Sequence, residues 1–442
     1  MNNVLKSFTK YVGLNIIGMI STAACVFIDY LFVSMAMGTD GLAALGLGVP
    51  IFSVLFGFGL LLGIGGGAKY AMLRAQGEQD QANQMFSITL KMGCMITIPF
   101  VVFGVFFSTQ IAALLGASGH ILPMTASYIK VLLLLSPGLI LYSIFEAFAR
   151  NDEAPKIAMI SAVIFNAMNI ILDYLFIIVF GWGMTGAALA SAVAGICALV
   201  YLLTYWLRKK MNFRLVKAKF IPKQMWSICE IGVPALINDL LYALILITFN
   251  LTLLSLVGNV GVAAFGIISS IALVVFFIFA GLGQGIQPLA SHYYGTKDRK
   301  SLIKILKYSF ITSTSVAVVA ITIIFLFGDA ITSILNFEQD MAVAELANEG
   351  IRIYFTAFLF VGITMIAIAF LSVTNTPKIA VILSILKGGA LLIPLILILS
   401  RLFGVVGVWA AYPIAEFVLA IISVFCLVWA NRLYKKTFNT SV

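Results

Sequence analysis

The sequence describes an all-α polytopic membrane protein, with about twelve transmembrane helices in two pseudo-two-fold-related six-helix lobes. Three observations lead there. Of 442 residues, 62% are hydrophobic and only 10% charged, against about 25% charged in a soluble domain. The apolar residues come in runs long enough to cross a bilayer, and the second half of the chain repeats the first. Such a composition excludes a cytosolic enzyme, a disordered chain and a nucleic-acid-binding protein.

A bilayer-crossing helix needs roughly 20 mostly apolar residues. Cutting the chain where charge, Gly, Asn and Pro gather predicts spans at 11–36, 44–68, 85–108, 123–148, 157–180, 186–207, 226–257, 262–286, 305–328, 350–373, 379–401 and 406–430. The run at 226–257 is long enough to begin with an interfacial segment. At the amino terminus, Lys6 and Lys10 precede an apolar run longer than a signal-peptide core, without a small-residue cleavage site. It reads as an uncleaved first span.

Charge sets the orientation. Lys69, Arg74, Arg150 and Lys156, the run Arg208, Lys209, Lys210, Arg214, Lys217, Lys219 and Lys223, and Lys297, Arg299, Lys300, Lys304, Lys307 and Lys378 all fall on one side of this topology. With Lys6, Lys10, Arg432, Lys435 and Lys436 at the ends, 22 of the 27 basic residues share that side. The opposite loops are short or acidic, as in the stretch with Asp329, Glu338, Asp340, Glu345 and Glu349. Both termini are therefore expected in the cytoplasm, with the protein in the plasma (inner) membrane. The net charge of +10 then records topology and anionic lipid contact rather than an acidic partner. Cys25, Cys94, Cys197, Cys229 and Cys426 lie in or beside apolar runs without a close-set pair, so neither disulfides nor a metal site nor a cofactor is expected.

The repeat is visible in three blocks. Gly38-Thr39-Asp40-Gly41-Leu42-Ala43-Ala44-Leu45-Gly46 aligns with Gly258-Asn259-Val260-Gly261-Val262-Ala263-Ala264-Phe265-Gly266 at an offset of 220. Pro155-Lys156-Ile157-Ala158 recurs as Pro377-Lys378-Ile379-Ala380 at 222, and Ile129-Lys130 pairs with Ile351-Arg352 at the same spacing. Six spans per copy is an even number, so both copies enter from the same side and should be related by an axis along the membrane normal. The expected organisation is a lobe at 1–207, a basic cytoplasmic linker at 208–225 and a second lobe at 226–442.

Ionisable groups at membrane depth are costly and mark function. Asp29 sits ~10 Å below the outer end of the first span and Asp173 ~12 Å below that of the fifth. Asn169 precedes Asp173 by four residues, on the same helix face. Ser191 lies ~8 Å into the returning sixth span. Together they form one polar layer. Two buried carboxylates side by side cannot both ionise cheaply, which favours a shared proton. The same oxygens would also suit a hard monovalent cation such as sodium, and tethering of neighbouring helices is the bland alternative. The equivalent positions of the second repeat fall at Phe249 and Asn250 and near Pro394, so coupling is expected in the first half.

Other polar positions carry weaker signals. Glu146 beside Arg150 reads equally as a surface pair or a substrate contact. Asp239 and Glu416 are intramembrane acids, balanced between cavity lining and tethering. Lys91 can snorkel to the interface, whereas Lys387, well inside its span, is harder to dismiss. Thr22, Gln284 and Gln287 join Glu146 and Asp239 as candidates for a substrate cavity. His120 and His292 sit in or beside loops, and no catalytic constellation is present, so the protein is not expected to be an enzyme. Of the 35 Phe and 16 Met, a subset lining a cleft would suit amphiphilic ligands.

At this point the residues resemble a known family, the multidrug and toxic compound extrusion (MATE) transporters. Phe27-Ile28-Asp29-Tyr30-Leu31-Phe32-Val33-Ser34 with the following Gly38–Gly46 block is similar to the family's first-span aspartate and outer turn. Asn169-Ile170-Ile171-Leu172-Asp173 with Gly186-Ala187-Ala188-Leu189-Ala190-Ser191 resembles its fifth- and sixth-span signature. Gly281-Leu282-Gly283-Gln284-Gly285-Ile286-Gln287-Pro288-Leu289 and Tyr294-Gly295 resemble its eighth-span motif. The resemblance implies a two-lobed, monomeric antiporter that exchanges external protons or sodium for small organic cations by alternating access. It also implies that Asp29, Asn169, Asp173 and Ser191 form the amino-lobe cation site of the DinF-type branch. One departure is that Gly13-Leu14-Asn15 stands where that branch often has Gly-x-Pro, while the second repeat has Gly232-Val233-Pro234. Two alternatives remain: a lipid-linked oligosaccharide flippase of the same superfamily, which would favour a basic cavity, and a non-transporting receptor or channel.

Overall fold

A computed structural model describes residues 2–219, 221–335, 340–374 and 376–439, so Glu338 lies outside the described residues. Helix accounts for nearly all of them. In chain order the long helices are α1 (Val4–Gly38), α2 (Asp40–Ala75), α3 (Gln79–Phe106), α4 (Ile121–Leu134 continuing into Ser136–Asn151), α5 (Pro155–Val179), α6 (Gly183–Leu207), α7 (Pro222–Val257), α8 (Asn259–Gly295), α9 (Arg299–Ser333) and α10 (Met341–Val373). The last apolar stretch, Pro377–Tyr434, is broken at Gly404 into α11 (377–403) and α12 (405–434). Ten of these stretches are long and apolar enough to cross a membrane, eleven with α4 taken as one bent span. Either side of the Gly404 break is itself long enough to cross, which brings the count to the expected twelve.

The helices overrun the predicted spans at most ends, because apolar runs mark only the part of a helix inside hydrocarbon. Two spans are also less regular than predicted. The span expected at 123–148 bends by 53° between its two helices, where Ser136-Pro137 starts a new helix with an imino acid in its first turn. The span expected at 157–180 ends in a π-helical stretch, Tyr174–Val179. In contrast, the first helix has no non-helical residue before Gly38. Asn15, where a proline was missed, donates from Nδ2 to the Tyr11 carbonyl one turn back at 2.8 Å.

The repeat extends to backbone geometry. Gly38 joins α1 to α2 at φ 59°, ψ −146°, and Gly258 joins α7 to α8 at φ 68°, ψ −153°. That region is essentially closed to residues with a Cβ, so the glycine beginning each matched block is a conformational requirement.

The chain divides into two compact units: Ile17–Leu236, and the chain up to Ile16 together with that from Ile237 onward. These differ from the expected lobes at two places, each with a packing reason. In one unit the beginning of α1 lies along α8: Val4, Phe8, Tyr11 and Val12 are buried with Leu282, Ile286 and Leu289. Gly281 and Gly285 permit that approach, since a Cβ on either would come within 2.8 Å of the Ile16 or 2.7 Å of the Val12 backbone. In the other unit the beginning of α7 lies along α2. A Cβ on Gly65 would stand 2.0 Å from the Ile228 carbonyl oxygen, and one on Gly232 1.9 Å from that of Leu61. Each unit is thus completed by the opening turns of the other half's first helix.

The segment expected as a linker is fixed to the Ile17–Leu236 unit as an extended strap. Gln79 Nε2 donates to the Asn212 carbonyl (3.4 Å), the Arg214 amide to Asn83 Oδ1 (3.0 Å), the Val216 amide to Ser87 Oγ (2.8 Å) and Lys91 Nζ to the Ala218 carbonyl (2.7 Å). Every second strap residue therefore meets every fourth helix residue. The register holds because four helical residues rise ~6.0 Å and two extended residues ~6.6 Å. Asp152 anchors the near end: it accepts from Tyr70 Oη (2.6 Å), Arg74 Nη1 (2.8 Å), the Asn212 amide (2.6 Å) and Asn212 Nδ2 (3.2 Å). Phe213 is fully buried among Tyr70, Phe86, Phe145 and Phe148, a burial that stabilises by about 1.5–3 kcal/mol. Lys91 thus reaches the strap.

Candidate cation-coupling site

In the Ile17–Leu236 unit, α1 and α5 face each other through polar residues one turn apart. Asn166 Nδ2 donates to Ser21 Oγ (2.7 Å) and Thr22 Oγ1 (3.1 Å). One turn further along both helices Cys25 Sγ donates to Asn169 Oδ1 at 2.8 Å. A turn beyond that Asp29 and Asp173 lie within hydrogen-bonding reach of each other. The sequence steps 21/22, 25, 29 and 166, 169, 173 are those of one helix face, so the ladder follows from spacing alone once the two helices are in contact.

Asn169 is the hub. Its Nδ2 donates to Asp173 Oδ2 (3.2 Å) and Ser191 Oγ of α6 (3.3 Å) while its Oδ1 accepts from Cys25. The four residues predicted as one polar layer are therefore brought together. Asn169 and Asp173 are buried and Asp29 and Ser191 partly so. Asp173 Oδ1 is buried and meets no donor among the described residues. Two facing carboxyl groups in hydrogen-bond range require a proton on one of them, or a cation between them. Two carboxylates, an amide and a hydroxyl fit a proton or a small monovalent ion. Among the described residues no group of three or more His, Cys, Asp or Glu side chains is placed to hold a metal ion.

Sequence reasoning missed Cys25 and Tyr128. Cys25 stands four residues before Asp29, the same spacing that singled out Asn169 before Asp173, so the signal was present. Tyr128 of α4, buried against Gly48 and near both carboxylates, has no local signal, because only the fold brings α4 there.

The remaining predicted residues separate. Thr22 belongs to the ladder. Glu146 and Arg150 form a buried ion pair at 3.1 Å, with side chains 11% and 4% exposed, so the surface reading of that pair is corrected. Gln284 and Gln287 are partly buried on α8. Asp239 lies on α7, and its side chain is outside the described residues. His120 pairs with Asp40 at 3.0 Å, both exposed. In the second unit the position of Asp29 is filled by Phe249, stacked on Phe265 with centroids 4.6 Å apart. Among the described residues the acid pair has no counterpart there, but Glu416 is ion-paired by Lys387 and approached by Thr364.

Known proteins place this architecture. The MatE family model matches residues 15–175 and again 234–398, so each half carries its own match. A Staphylococcus saprophyticus protein named multidrug export protein MepA is 30% identical over 424 residues, covering 95% of this chain and 92% of that protein. Its Staphylococcus aureus namesake is 31% identical over 408 residues, covering 90% and 88%. Among solved structures, an outward-facing multidrug resistance MATE transporter of the MOP superfamily superposes with a TM-score of 0.91 at 18% identity, covering 99% and 97%. A MOP superfamily transporter from Pyrococcus furiosus, described as having a binding pocket of reverse polarity, superposes at 0.90 with 18% identity, covering 97% and 96%. At such identities the structures speak for the fold, while the family matches and the relatives speak for descent: this chain is a membrane protein of the MATE family and not an enzyme.

Proposed function

We propose that the protein is a secondary active antiporter of the DinF type that exports small cationic amphiphiles, drugs or toxins, across the plasma membrane. Its work is driven by proton influx, with sodium as the alternative ion. The observation that carries this reading is the contact between Asp29 and Asp173 beside an unpartnered Asp173 oxygen. Such a pair holds a proton well when it is closed to water and releases it when charge or solvent enters.

Coupling then follows from competition. A proton on the pair neutralises the layer and weakens its pull on an organic cation, so protonation from outside favours release there. Loss of the proton toward the cytoplasm restores the negative layer and favours loading. The Cys25–Asn169 and Ser21/Thr22–Asn166 levels supply hydrogen-bonding groups inward of the pair over about two helical turns, ~11 Å. The relatives named multidrug export proteins support the substrate class. Both termini lie in the cytoplasm and the monomer is the working unit.

The test is efflux of a fluorescent organic cation from proteoliposomes under an imposed pH or sodium gradient, in wild type, Asp29→Asn and Asp173→Asn. Proton-driven efflux lost in both variants supports the reading, and sodium-driven efflux lost in both changes only the ion. Gradient-driven efflux that persists in both variants overturns it.

A further inference from the structure

The second unit holds a buried charged cluster that the coupling reading does not use. Glu416 of α12 is 3% exposed and is ion-paired by Lys387 of α11. Thr364 Oγ1 of α10 lies 2.8 Å from Glu416 Oε2 and 3.3 Å from Lys387 Nζ. Tyr354 and Tyr412 lie near the carboxylate, stacked with centroids 4.6 Å apart, and Tyr242 lies near both tyrosines.

This cluster stands on the helices that the repeat pairs with those of the first-unit site. Helices α11 and α12 are the counterparts of α5 and α6, which carry Asn169, Asp173 and Ser191. Each unit also has a π-helical stretch beside its cluster: Tyr174–Val179 follows Asp173, and Leu386–Ala390 contains Lys387. Such stretches are frequent at functional sites. At offsets of 222 (Pro155 to Pro377) and 221 (Gly186 to Gly407), Lys387 aligns with Phe165 and Glu416 with Gly195. Phe165 lies one turn before Asn169 on a helix running outward, and Gly195 one turn after Ser191 on a helix running back. Both shifts point the same way, so the second cluster sits about one turn nearer the cytoplasmic end.

What differs is the source of positive charge. The first unit has two carboxylates in contact with a buried oxygen unmet, and so requires a proton or an ion. The second has one carboxylate with an ammonium attached to the chain. A buried carboxylate must be met by a proton or a cation, and a lysine supplies one that cannot leave. We propose that Lys387 is a tethered cation occupying, in the second unit, the place that a proton or small monovalent cation takes in the first. Glu416 therefore draws no ion from solution. Without the ammonium, Glu416 and Thr364 become a site for a proton or sodium. The parallel with the first unit rests on the coupling reading; the occupancy of Glu416 does not.

The test uses purified full-length protein carrying Asp29→Asn and Asp173→Asn, so that the first-unit carboxylates give no ion response. Onto that background are placed Lys387→Met, which keeps an apolar stem of similar length, and Lys387→Met with Glu416→Gln. Melting temperature is followed against sodium, with choline as the control, and against pH from 5.5 to 8.5. Among the described residues, Lys387, Tyr354 and Tyr412 are the titratable groups placed against Glu416, with Tyr242 beyond the tyrosines, and the ordinary values of all four, near 10, lie above that range. The expected result is a background that does not respond to sodium and keeps only the pH dependence of groups outside the cluster, such as Asp152 and His120, so every response is read as the difference from that background. Lys387→Met should gain several degrees from sodium at pH 8.5 or from acid without sodium, and Glu416→Gln should abolish the gain. A Lys387→Met protein destabilised equally under every condition overturns the proposal, as does a response that survives Glu416→Gln. Lys387→Gln serves as a second variant; failure of both to fold in acid and in sodium also overturns it, because each condition supplies the missing charge. Since no arm measures transport, these outcomes are independent of whether Asp29 and Asp173 couple efflux.

Discussion

Cys25 donates to Asn169 at 2.8 Å one helical turn inside the point where Asp29 meets Asp173. That bond fixes the amide: with Oδ1 accepting, Nδ2 is turned toward Asp173 and Ser191. A thiol therefore orients the residue that holds the outer carboxylate. Replacing Cys25 with Val removes the donor and leaves a buried amide oxygen unmet, at a cost of about 1–3 kcal/mol. Cys25→Ser retains a donor and should stay near wild type in melting temperature and in gradient-driven efflux. Equal behaviour of the Val and Ser variants in both measurements would sink this role.

Asp173→Asn should separate stability from function. The native carboxylate is buried beside another acid, with one oxygen unmet, so a neutral amide relieves a cost rather than breaking a pair. Gradient-driven efflux should fall by at least about tenfold, the weight of ~1.4 kcal/mol in a coupling step. Melting temperature should meanwhile equal or exceed that of wild type. A purely tethering aspartate would give the reverse: intact efflux and a lower melting temperature.

Asp152 should control the strap. Asp152→Ala deletes four hydrogen bonds, removes the carboxylate that the buried Tyr70 hydroxyl meets and leaves Arg74 only its longer contact to Glu153, at a cost of about 3 kcal/mol. Trypsin should then cut at the exposed Arg and Lys residues of 208–219 at least about tenfold faster than in wild type, by the same conversion. Unchanged cleavage would show that Phe213 alone holds the segment.

The pH dependence of that anchor has an unusual sign. Burial pushes the Asp152 carboxyl above its ordinary value, opposed by hydrogen bonds from Tyr70 and Asn212 and by the Arg74 charge. A raised folded value means the folded protein binds this proton more tightly than the unfolded chain, so Asp152 contributes less as pH rises from the ordinary aspartate value through the raised one. The contribution should be read as the wild type minus Asp152→Asn difference in melting temperature, and that difference should not shrink on acidification from pH 7 to pH 5. A clear loss on acidification would mean that Arg74 outweighs burial.

The α2–α7 contact should tolerate no added carbon. Gly65→Ala and Gly232→Ala each drive a Cβ onto a carbonyl oxygen, so backbone rather than a flexible side chain must move. Overpacking of this kind costs about 1–3 kcal/mol, and thermal melting in detergent should report it for each variant. Gly46→Ala, with nothing within 4 Å of the added carbon, is the control and should melt within a degree or two of wild type.

How far the sequence carried depends on the range of the forces involved. Hydrophobic run length and glycine-marked turns are local, so the spans and the repeat were readable. So was the Asp29, Asn169, Asp173 and Ser191 layer, since depth along a helix is arithmetic and each residue sat on one face. The Ser136-Pro137 bend also had a local cause, though proline inside an apolar run does not say whether a helix kinks or restarts. Tyr128 and the Lys387–Glu416 pair were not readable as partners, because nothing local states which faces of α4, α10, α11 and α12 meet. The strap was least readable of all. Its composition is that of a solvated basic linker, and its order comes from groups between sixty and more than a hundred residues away.

That strap bears on how a doubled gene becomes one protein. Two copies of a six-helix sequence can be fused by any spacer long enough to reach, and a spacer under no other demand drifts freely in length and composition. This one cannot. An insertion or deletion of one residue between Asn212 and Ala218 would throw each later contact out of step with α3, while its exposed basic side chains remain free to exchange Lys for Arg. The seam between the ancestral copies is therefore better sought just after Lys219 than at Arg208, and the preceding residues count as inherited or acquired property of the first copy.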